Sequence, residues 1–419
     1  MNHEAQVEIL RELITQMDQH TTCDAGRVVA NRVDAYTSPS LARQEWETFF
    51  ANHPQVVGLS GELPRPGSYL TCNDFRIPVL ATRDNTGRFR AFLNACRHRG
   101  AELASEPRGE QVRFTCPFHG WTYRNDGTLM GVRAAEHFGQ VEKPCLNLVE
   151  LPSLEAHGLL IVHPRVDGVI DEDALFGDGF GAELDAWDLG QADYRGESVL
   201  DMPVNWKIAN DTFGEIYHFA TLHKNTLANL LHGDAATYRE FGRNHRICLA
   251  NRYLDVMRTL PEQEWTVRDG AVIAYYLFPN IQIVLLNSML AVARIYPDPD
   301  KVGQSLTRVS HYAMPHLESK LQDTSAVQQI GGENLYVADM AKPIELSLEA
   351  SAELFLSTVE HEDYAMGVKS QAAANSGLID YFVFGRNEPA LHHFHNNYRA
   401  ALGQPALPDY DPAVHRAHA

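Results

Sequence analysis

Apolar positions at the start of the chain recur at helical spacing. Val7, Leu10, Leu13, Ile14 and Met17 share one side of residues 5–18 and predict an amphipathic helix. Ser40 to His53, containing LARQEWETFF, predicts a second. From about Val56 to Leu151 the texture changes to short apolar runs punctuated by GELPRPGSY, DNTG, PRGE and NDGT. Strands expected near Arg76–Thr82, Phe89–Leu93, Val112–Thr115 and Thr122–Tyr123 suit only a compact all-β module with Gly-, Pro- and Asn-Asp-Gly-based hairpins. After Pro152, strand-like runs follow at Gly158–Pro164, Ser198–Val204, Arg246–Asn251, Val272–Leu277, Ile281–Leu286, Leu290–Tyr296 and Leu306–Met314. Helices are expected from Trp206 to about Leu231, from Ile344 to Ser370, and at about Asn387–Leu402. An antiparallel sheet with long helices against it is an α+β arrangement. The expected division is N-terminal helices at 1–53, a β-module at 54–155 and a larger domain at 156–419.

Composition narrows the partners more than the fold. The 419 residues are 44% hydrophobic and 21% charged, ordinary for a protein with a full core. The formal charge of -19 argues against nucleic-acid or anionic-membrane binding, which need a basic face; it is compatible with docking a basic redox partner. The apolar run Ile281–Tyr296 is too short to span a membrane and is interrupted by Gln282, Asn287, Ser288 and Arg294. MNHEAQVEILRELITQM carries acidic residues and no long apolar core, so no secretory signal is expected. Six cysteines make no disulfide framework, and a cytoplasmic location is expected.

Four residues of the β-module form a metal-binding pattern. Cys96 and His98 lie in NACRHRG, and Cys116 and His119 in CPFHGWTY. Two thiolates and two imidazoles could hold zinc. Zinc fingers, however, usually pair Cys with Cys and His with His, whereas each loop here offers one of each. That alternation lets the thiolates bind one iron and the imidazoles another, the Rieske [2Fe–2S] arrangement. CRHRG followed by CPFHGWTY resembles the Rieske domain of the aromatic-ring-hydroxylating (Rieske non-haem iron) oxygenases, large or α subunit. It also resembles small Rieske ferredoxins, which would end near residue 150.

A second candidate centre lies in Asn205–His223, NWKIANDTFGEIYHFATLH. Two imidazoles and a carboxylate are the set with which non-haem iron(II) oxygenases hold iron at open positions. His218 and His223 are five residues apart, about 140° around an ideal helix, so joint ligation requires a bulged or broken helix. Taken alone, a His pair in an apolar helix is more often two satisfied core histidines. Phe355, Val359, Asp363 and Met366 share a helical face, which puts Asp363 on an apolar stripe while Glu360 and Glu362 point elsewhere. NWK, Tyr217-His218, His223 and the EHED segment also resemble the mononuclear-iron motifs of the same family. The resemblance implies His218, His223 and Asp363 as iron ligands, with Glu362 the alternative to Asp363. It further implies that Glu215 joins His218 to His119 of a neighbouring subunit and relays electrons. Most members carry Asp there; Glu occurs in members oxidising quaternary amines. Asp211, where many members have Asn, is counted with Glu215 as a catalytic candidate. His392, His393 and His395 in LHHFH fit a helix side better than a metal tract.

The resemblance spans about residues 40 to 400 and implies a Rieske [2Fe–2S] domain inserted before a helix-grip (START/Bet v1-like) antiparallel-sheet catalytic domain. The function it implies is the terminal oxygenase of a multicomponent system, with one [2Fe–2S] cluster and one Fe(2+) per subunit. An NAD(P)H-dependent reductase, with or without a ferredoxin, would supply electrons. A homotrimer is implied, with or without β subunits, because a subunit's own cluster lies too far from its own iron. An aromatic or polycyclic hydrophobic substrate is expected, mono- or dioxygenated. Oxidation or N-demethylation of a quaternary amine of the betaine or carnitine kind is the alternative. A non-catalytic redox or ligand-binding protein is the reading from another class; it predicts no mononuclear iron.

Overall fold

The computed structural model describes residues 1–140, 142–286, 289–314 and 347–412. They fall into two compact units. One comprises residues 1–46, 173–186 and 194–419, the other 47–172 and 187–193. The expected boundary at 155 therefore moves. Ser153–Ala156 and Leu159–Val162 form one hairpin, and the second strand also pairs with Gln55–Leu59, so both stay with the β-rich unit.

That unit is built from small antiparallel sheets. Glu150–Leu151, Phe89–Leu93, Val79–Arg83, Ser68–Cys72 and Arg108–Glu110 lie side by side in one sheet. Arg113–Thr115, Thr122–Arg124 and Leu129–Gly131 make another. Tyr69, Leu80, Phe92, Phe114, Trp121 and Tyr123 are buried together as a core that also encloses the Cys96 and Cys116 side chains.

The larger unit is organised on a seven-stranded sheet: β1 Asp193–Met202, β2 Leu231–Phe241, β3 Asn244–Asn251, β4 Ala271–Leu277, β5 Ile281–Leu286, β6 Met289–Asp298 and β7 Lys301–Ala313. The order is β1-β7-β6-β5-β4-β3-β2, and the ladders from β2 to β7 are antiparallel. Strands β4 and β5 are buried at every position, so they read as continuous apolar runs rather than alternating ones. Among its described helices are α1 His3–Gln19, α2 Trp206–Asp211, α3 Leu348–Thr358, α4 Tyr364–Asn375 and α5 Pro389–Ala401. Helices α2 and α3 pack on β6 and β7, and α1 packs on β2 and β3. No described helix is long and apolar enough to cross a membrane.

Two helical expectations are corrected. The helix begun at Trp206 stops at Asp211, and Leu231, its expected end, opens the strand Leu231–Phe241. The Thr212 hydroxyl donates back to the Ala209 carbonyl at 2.9 Å, competing with helix propagation. Gly214 then lets Leu391 of α5 approach so closely that an added Cβ would lie 2.6 Å from its methyl carbon. The expected helix Ile344–Ser370 begins outside the described residues. Within them it is α3, a π-helical turn Val359–Asp363, then α4. The expected helix at 40–53 is likewise α-helical only over Pro39–Glu45 and π-helical over Trp46–Ala51.

Helix α2 is pinned at its first residues. Asn205 caps it through the Lys207 amide at 3.0 Å, and its own side-chain amide reaches the Val302 carbonyl at 2.8 Å. The fully buried Lys207 ammonium meets Glu45 at 2.6 Å, and Trp206 Nε1 donates to the other Glu45 oxygen at 2.8 Å. Tyr398 also donates to Glu45. NWK is thus an anchor that sets where the irregular segment 212–226 begins.

Candidate active site

The five-residue spacing of His218 and His223 is resolved by a broken helix: both lie in consecutive turns after α2. Their Nε2 atoms face each other at 2.9 Å. Asp363 Oδ1, at the end of the π-turn, lies 3.2 Å from His218 Nε2 and 3.1 Å from His223 Nε2. Three donors on one face of an octahedron with bonds of about 2.1 Å are separated by about 3.0 Å, so the triangle has the size of a facial triad. Asp363 is only 8% exposed, yet Oδ1 makes no hydrogen bond of acceptable geometry. An orphaned buried carboxylate oxygen facing two imidazole nitrogens fits a cation. Among the described residues this is the group whose three metal-capable side chains bring their ligand atoms within 4.8 Å of one another. Burial disfavours a charged His218 ring, but the Asp363 and Glu215 carboxylates override it and lift its pKa to about 9. A cation binding here must displace that proton.

The other ring nitrogens are also engaged. Glu215 Oε1 pairs with His218 Nδ1, and Glu215 Oε2 accepts the His218 backbone N–H at 3.2 Å. Glu362 Oε2 pairs with His223 Nδ1 at 2.8 Å and also accepts the Thr226 hydroxyl at 3.1 Å. A carboxylate on each Nδ1 holds the tautomer that leaves Nε2 free for metal. Glu362, the alternative ligand on sequence grounds, therefore stands behind His223 rather than among the three facing atoms. Nothing in residue type separates Glu362 from Asp363; the π-turn does.

Asp211 is brought into a different network. Its carboxylate meets His395 Nε2 at 2.9 and 3.0 Å and accepts the Tyr36 hydroxyl at 3.1 Å. Asn31 donates to that hydroxyl at 2.9 Å. The remaining LHHFH histidines are structural: His392 Nε2 lies 2.9 Å from the Gly385 carbonyl and His393 Nε2 2.9 Å from that of Gly242.

Two cavities meet at the site: His218, His223 and Asp363 all line the first, and His218 and Asp363 also line the second. The first is bounded by sheet residues Ile247, Ala274 and Val284 and by Phe213, Phe219 and Phe355. Its described lining contains no lysine or arginine. The second, more open, carries Asp211, Glu215 and Glu388 beside Phe382 and Leu391. The shared face expected for Phe355, Val359 and Asp363 is observed on the first cavity. Met366, after the π-turn, lines the second instead.

In the β-rich unit, two loops repeat one geometry. Gly100 donates to the Cys96 carbonyl at 2.8 Å, as Gly120 does to that of Cys116 at 3.0 Å, and both glycines sit at φ +74°. Each cysteine amide donates to the carbonyl five residues on, at 2.8 Å to Ala101 and 2.7 Å to Trp121. A left-handed residue closes each loop, which glycine permits without steric cost. The loops present buried, unbridged Cys96 and Cys116 together with half-exposed His98 and His119, whose ring centroids are 4.6 Å apart. The Nδ1 atoms of both histidines are buried without a partner. Burial also pushes the Cys96 thiol up, so a thiolate here needs neutralising. Two inward thiols and two orphaned imidazole nitrogens fit a [2Fe–2S] group held by one sulfur pair and one nitrogen pair.

Comparison with known proteins agrees with both centres. Residues 189–404 match the ring-hydroxylating alpha subunit (catalytic domain) family, and residues 53–150 match the Rieske [2Fe-2S] domain. The chain belongs to the ring-hydroxylating alpha-subunit family. It thus combines a Rieske [2Fe–2S] domain with a non-haem iron catalytic domain, in an α+β architecture with antiparallel sheets. The anthranilate 1,2-dioxygenase large subunit of Acinetobacter baylyi is 29% identical over 204 residues, 48% of this chain and 43% of that protein. The carnitine monooxygenase oxygenase subunit of Acinetobacter baumannii is 31% identical over 190 residues, 45% of this chain and 51% of that one. The chain spans about half the length of these curated relatives. A crystal structure of the quaternary ammonium Rieske monooxygenase CntA with L-carnitine superposes with a TM-score of 0.68 at 19% identity. That match covers 88% of this chain and 94% of that one, and it attests the fold.

Proposed function

We propose that this ring-hydroxylating alpha subunit is the terminal oxygenase of a Rieske system acting on a neutral, apolar ring compound. The observation that carries the reading is the first cavity, whose apolar walls end on His218, His223 and Asp363. Those three residues would hold Fe(2+), and Cys96, His98, Cys116 and His119 would hold the [2Fe–2S] cluster. When bound, the iron supplies activation of dioxygen. The chain's own part is positional: Glu215 and Glu362 keep the Nδ1 protons of His218 and His223, and the sheet-and-phenylalanine cavity orients an apolar substrate and excludes water. Glu215 would also accept a hydrogen bond from His119 of a neighbouring subunit, passing electrons within a ring of three chains, with or without β subunits. A reductase, with or without a ferredoxin, would load the cluster from NAD(P)H.

Substrate-dependent oxygen uptake with a surrogate reductase tests this across aromatic acids, hydrocarbons, steroids and betaines. Neutral ring compounds should stimulate uptake, with product analysis counting the oxygens inserted. Stimulation by betaines alone would overturn it. Asp363→Ala should lower iron from about three to about two per chain and leave acid-labile sulfide unchanged.

A second reading, oxidation of a quaternary amine, draws support from Glu215 in place of aspartate and from Phe213, Phe219 and Phe355, whose faces could meet an ammonium. Betaines also carry a carboxylate, and no described cavity residue offers it a cation.

A further inference from the structure

The two carboxylates behind the histidines are each held by a second donor. Glu215 pairs one oxygen with His218 Nδ1 while the other accepts the His218 backbone N–H at 3.2 Å, so the main chain fixes it. Glu362 finds its second donor in a side chain: Oε2, 2.8 Å from His223 Nδ1, also accepts the Thr226 hydroxyl at 3.1 Å. A turn brings that hydroxyl there. Thr226 N–H donates to the His223 carbonyl at 3.0 Å, which folds residue 226 back to the Glu362 side of His223. The Glu362 side chain is 23% exposed. A partly solvated glutamate has several rotamers open to it, and a second contact selects one of them. His223 and Glu362 are 139 residues apart, and Glu362 directly precedes Asp363 in the π-turn. The Thr226–Glu362 bond therefore ties the segment carrying both histidines to the turn carrying the third ligand.

We propose that Thr226 is a positioning residue of the iron site: its hydroxyl holds the Glu362 carboxylate on His223 Nδ1 and so preorganises the three ligand atoms. This inference rests on the iron-site reading above and deepens it. Asp363 Oδ1 sits 3.1 Å from His223 Nε2 only while that ring keeps one orientation. Glu362 supplies the orientation by accepting from Nδ1, and Thr226 supplies the orientation of Glu362. A hydroxyl has a single hydrogen to give. Its other acceptor, the His223 carbonyl, is farther away at 3.4 Å, and the charged carboxylate oxygen at 3.1 Å is the stronger partner. Thr226 is not itself among the ligands; it acts through Glu362.

The test is the Fe(2+) affinity of the full chain, measured by chelator competition with iron counted per chain. Thr226→Val keeps the shape of the side chain but loses the hydroxyl, and should weaken Fe(2+) binding about tenfold. Thr226→Ala, which cannot crowd the turn, repeats the comparison. Thr226→Ser keeps the hydroxyl and should recover most of the lost affinity. In a Glu362→Ala background the valine change should cost nothing further, because the hydroxyl then has no carboxylate to hold. With Co(2+) in place of iron, the visible ligand-field bands should shift in Thr226→Val and return to their wild-type positions in Thr226→Ser. Wild-type affinity in both Thr226→Val and Thr226→Ala, or an equal loss in the Glu362→Ala background, overturns the proposal and leaves the iron-site reading standing. Failure of the wild-type chain to bind Fe(2+) overturns both.

Discussion

Glu362 and Asp363, adjacent in one π-helical turn, address opposite nitrogens of the same ring: Glu362 Oε2 lies 2.8 Å from His223 Nδ1 and Asp363 Oδ1 3.1 Å from His223 Nε2. Successive residues of an α-helix diverge by about 100° and could not both reach one imidazole so easily. The wider turn, formed at the cost of a regular ladder, lets them. Glu362→Gln keeps an acceptor for the Nδ1–H but removes its charge, so iron affinity should fall about tenfold, and Glu362→Ala should lose up to about a hundredfold. Chelator competition with iron quantified per chain reads this. Unchanged affinity in both variants would reduce Glu362 to a surface carboxylate.

Glu215 stands in the same relation to His218 but is proposed to do more. Glu215→Gln should leave both metal centres occupied while slowing electron transfer between them about a hundredfold. Freeze-quenched single turnover of cluster-reduced protein, followed by the cluster's spectroscopic signal, measures that rate directly. Normal cluster reoxidation with substrate present would break the bridge argument.

Much of this architecture was legible because it rests on residue type and period. The paired Cys–His loops announce themselves by composition, and β4 and β5 by unbroken apolar runs. What stayed hidden depends on backbone breaks. Hydrophobic periodicity cannot register a π-turn at Val359–Asp363, so it puts Met366 on the face of Phe355 and Val359, whereas Met366 lines the second cavity. The stretch after Asp211 keeps helical-looking residues, yet Thr212 and Gly214 divert it into turns. Strand β2 was missed because LHGDAATYREF lacks alternation and its pairing with β3 shifts register between Leu231 and Ala236. Asp211 drew attention as a departure near the iron; its actual partners, His395 and Tyr36, lie far off in sequence and no local signal points to them.

Lys207 and Glu45 form a buried pair whose value lies in placing α2. Both side chains are essentially inaccessible, and burial pulls the lysine below its ordinary pKa despite the neighbouring carboxylate. Lys207→Met removes one partner and leaves Glu45 charged and unpaired, which should destabilise the catalytic unit by about 3–5 kcal/mol. Adding Glu45→Gln should recover most of that loss. Urea unfolding of the single and double variants distinguishes the cases; a single-variant cost below about 1 kcal/mol would mean the pair is not a structural anchor.

Glu388 makes stability depend on pH. Its carboxyl is lifted to about 7, first by burial and then by the nearby Glu215 and Asp211 charges, against an ordinary 4.5. The folded chain therefore holds this proton more tightly than the unfolded one. The sign follows: the contribution is complete below about pH 4.5 and is lost as pH rises through about 7. Solvent reaching the open second cavity limits the loss to at most about 3 kcal/mol. Glu388→Gln keeps an oxygen for the Gly385 N–H that Glu388 accepts, but cannot ionise. Relative to wild type, the variant should gain stability steadily between pH 5 and pH 8 in denaturant titrations at matched iron content. Parallel pH profiles for the two proteins would show that Glu388 ionises as freely in the folded chain as in the unfolded one.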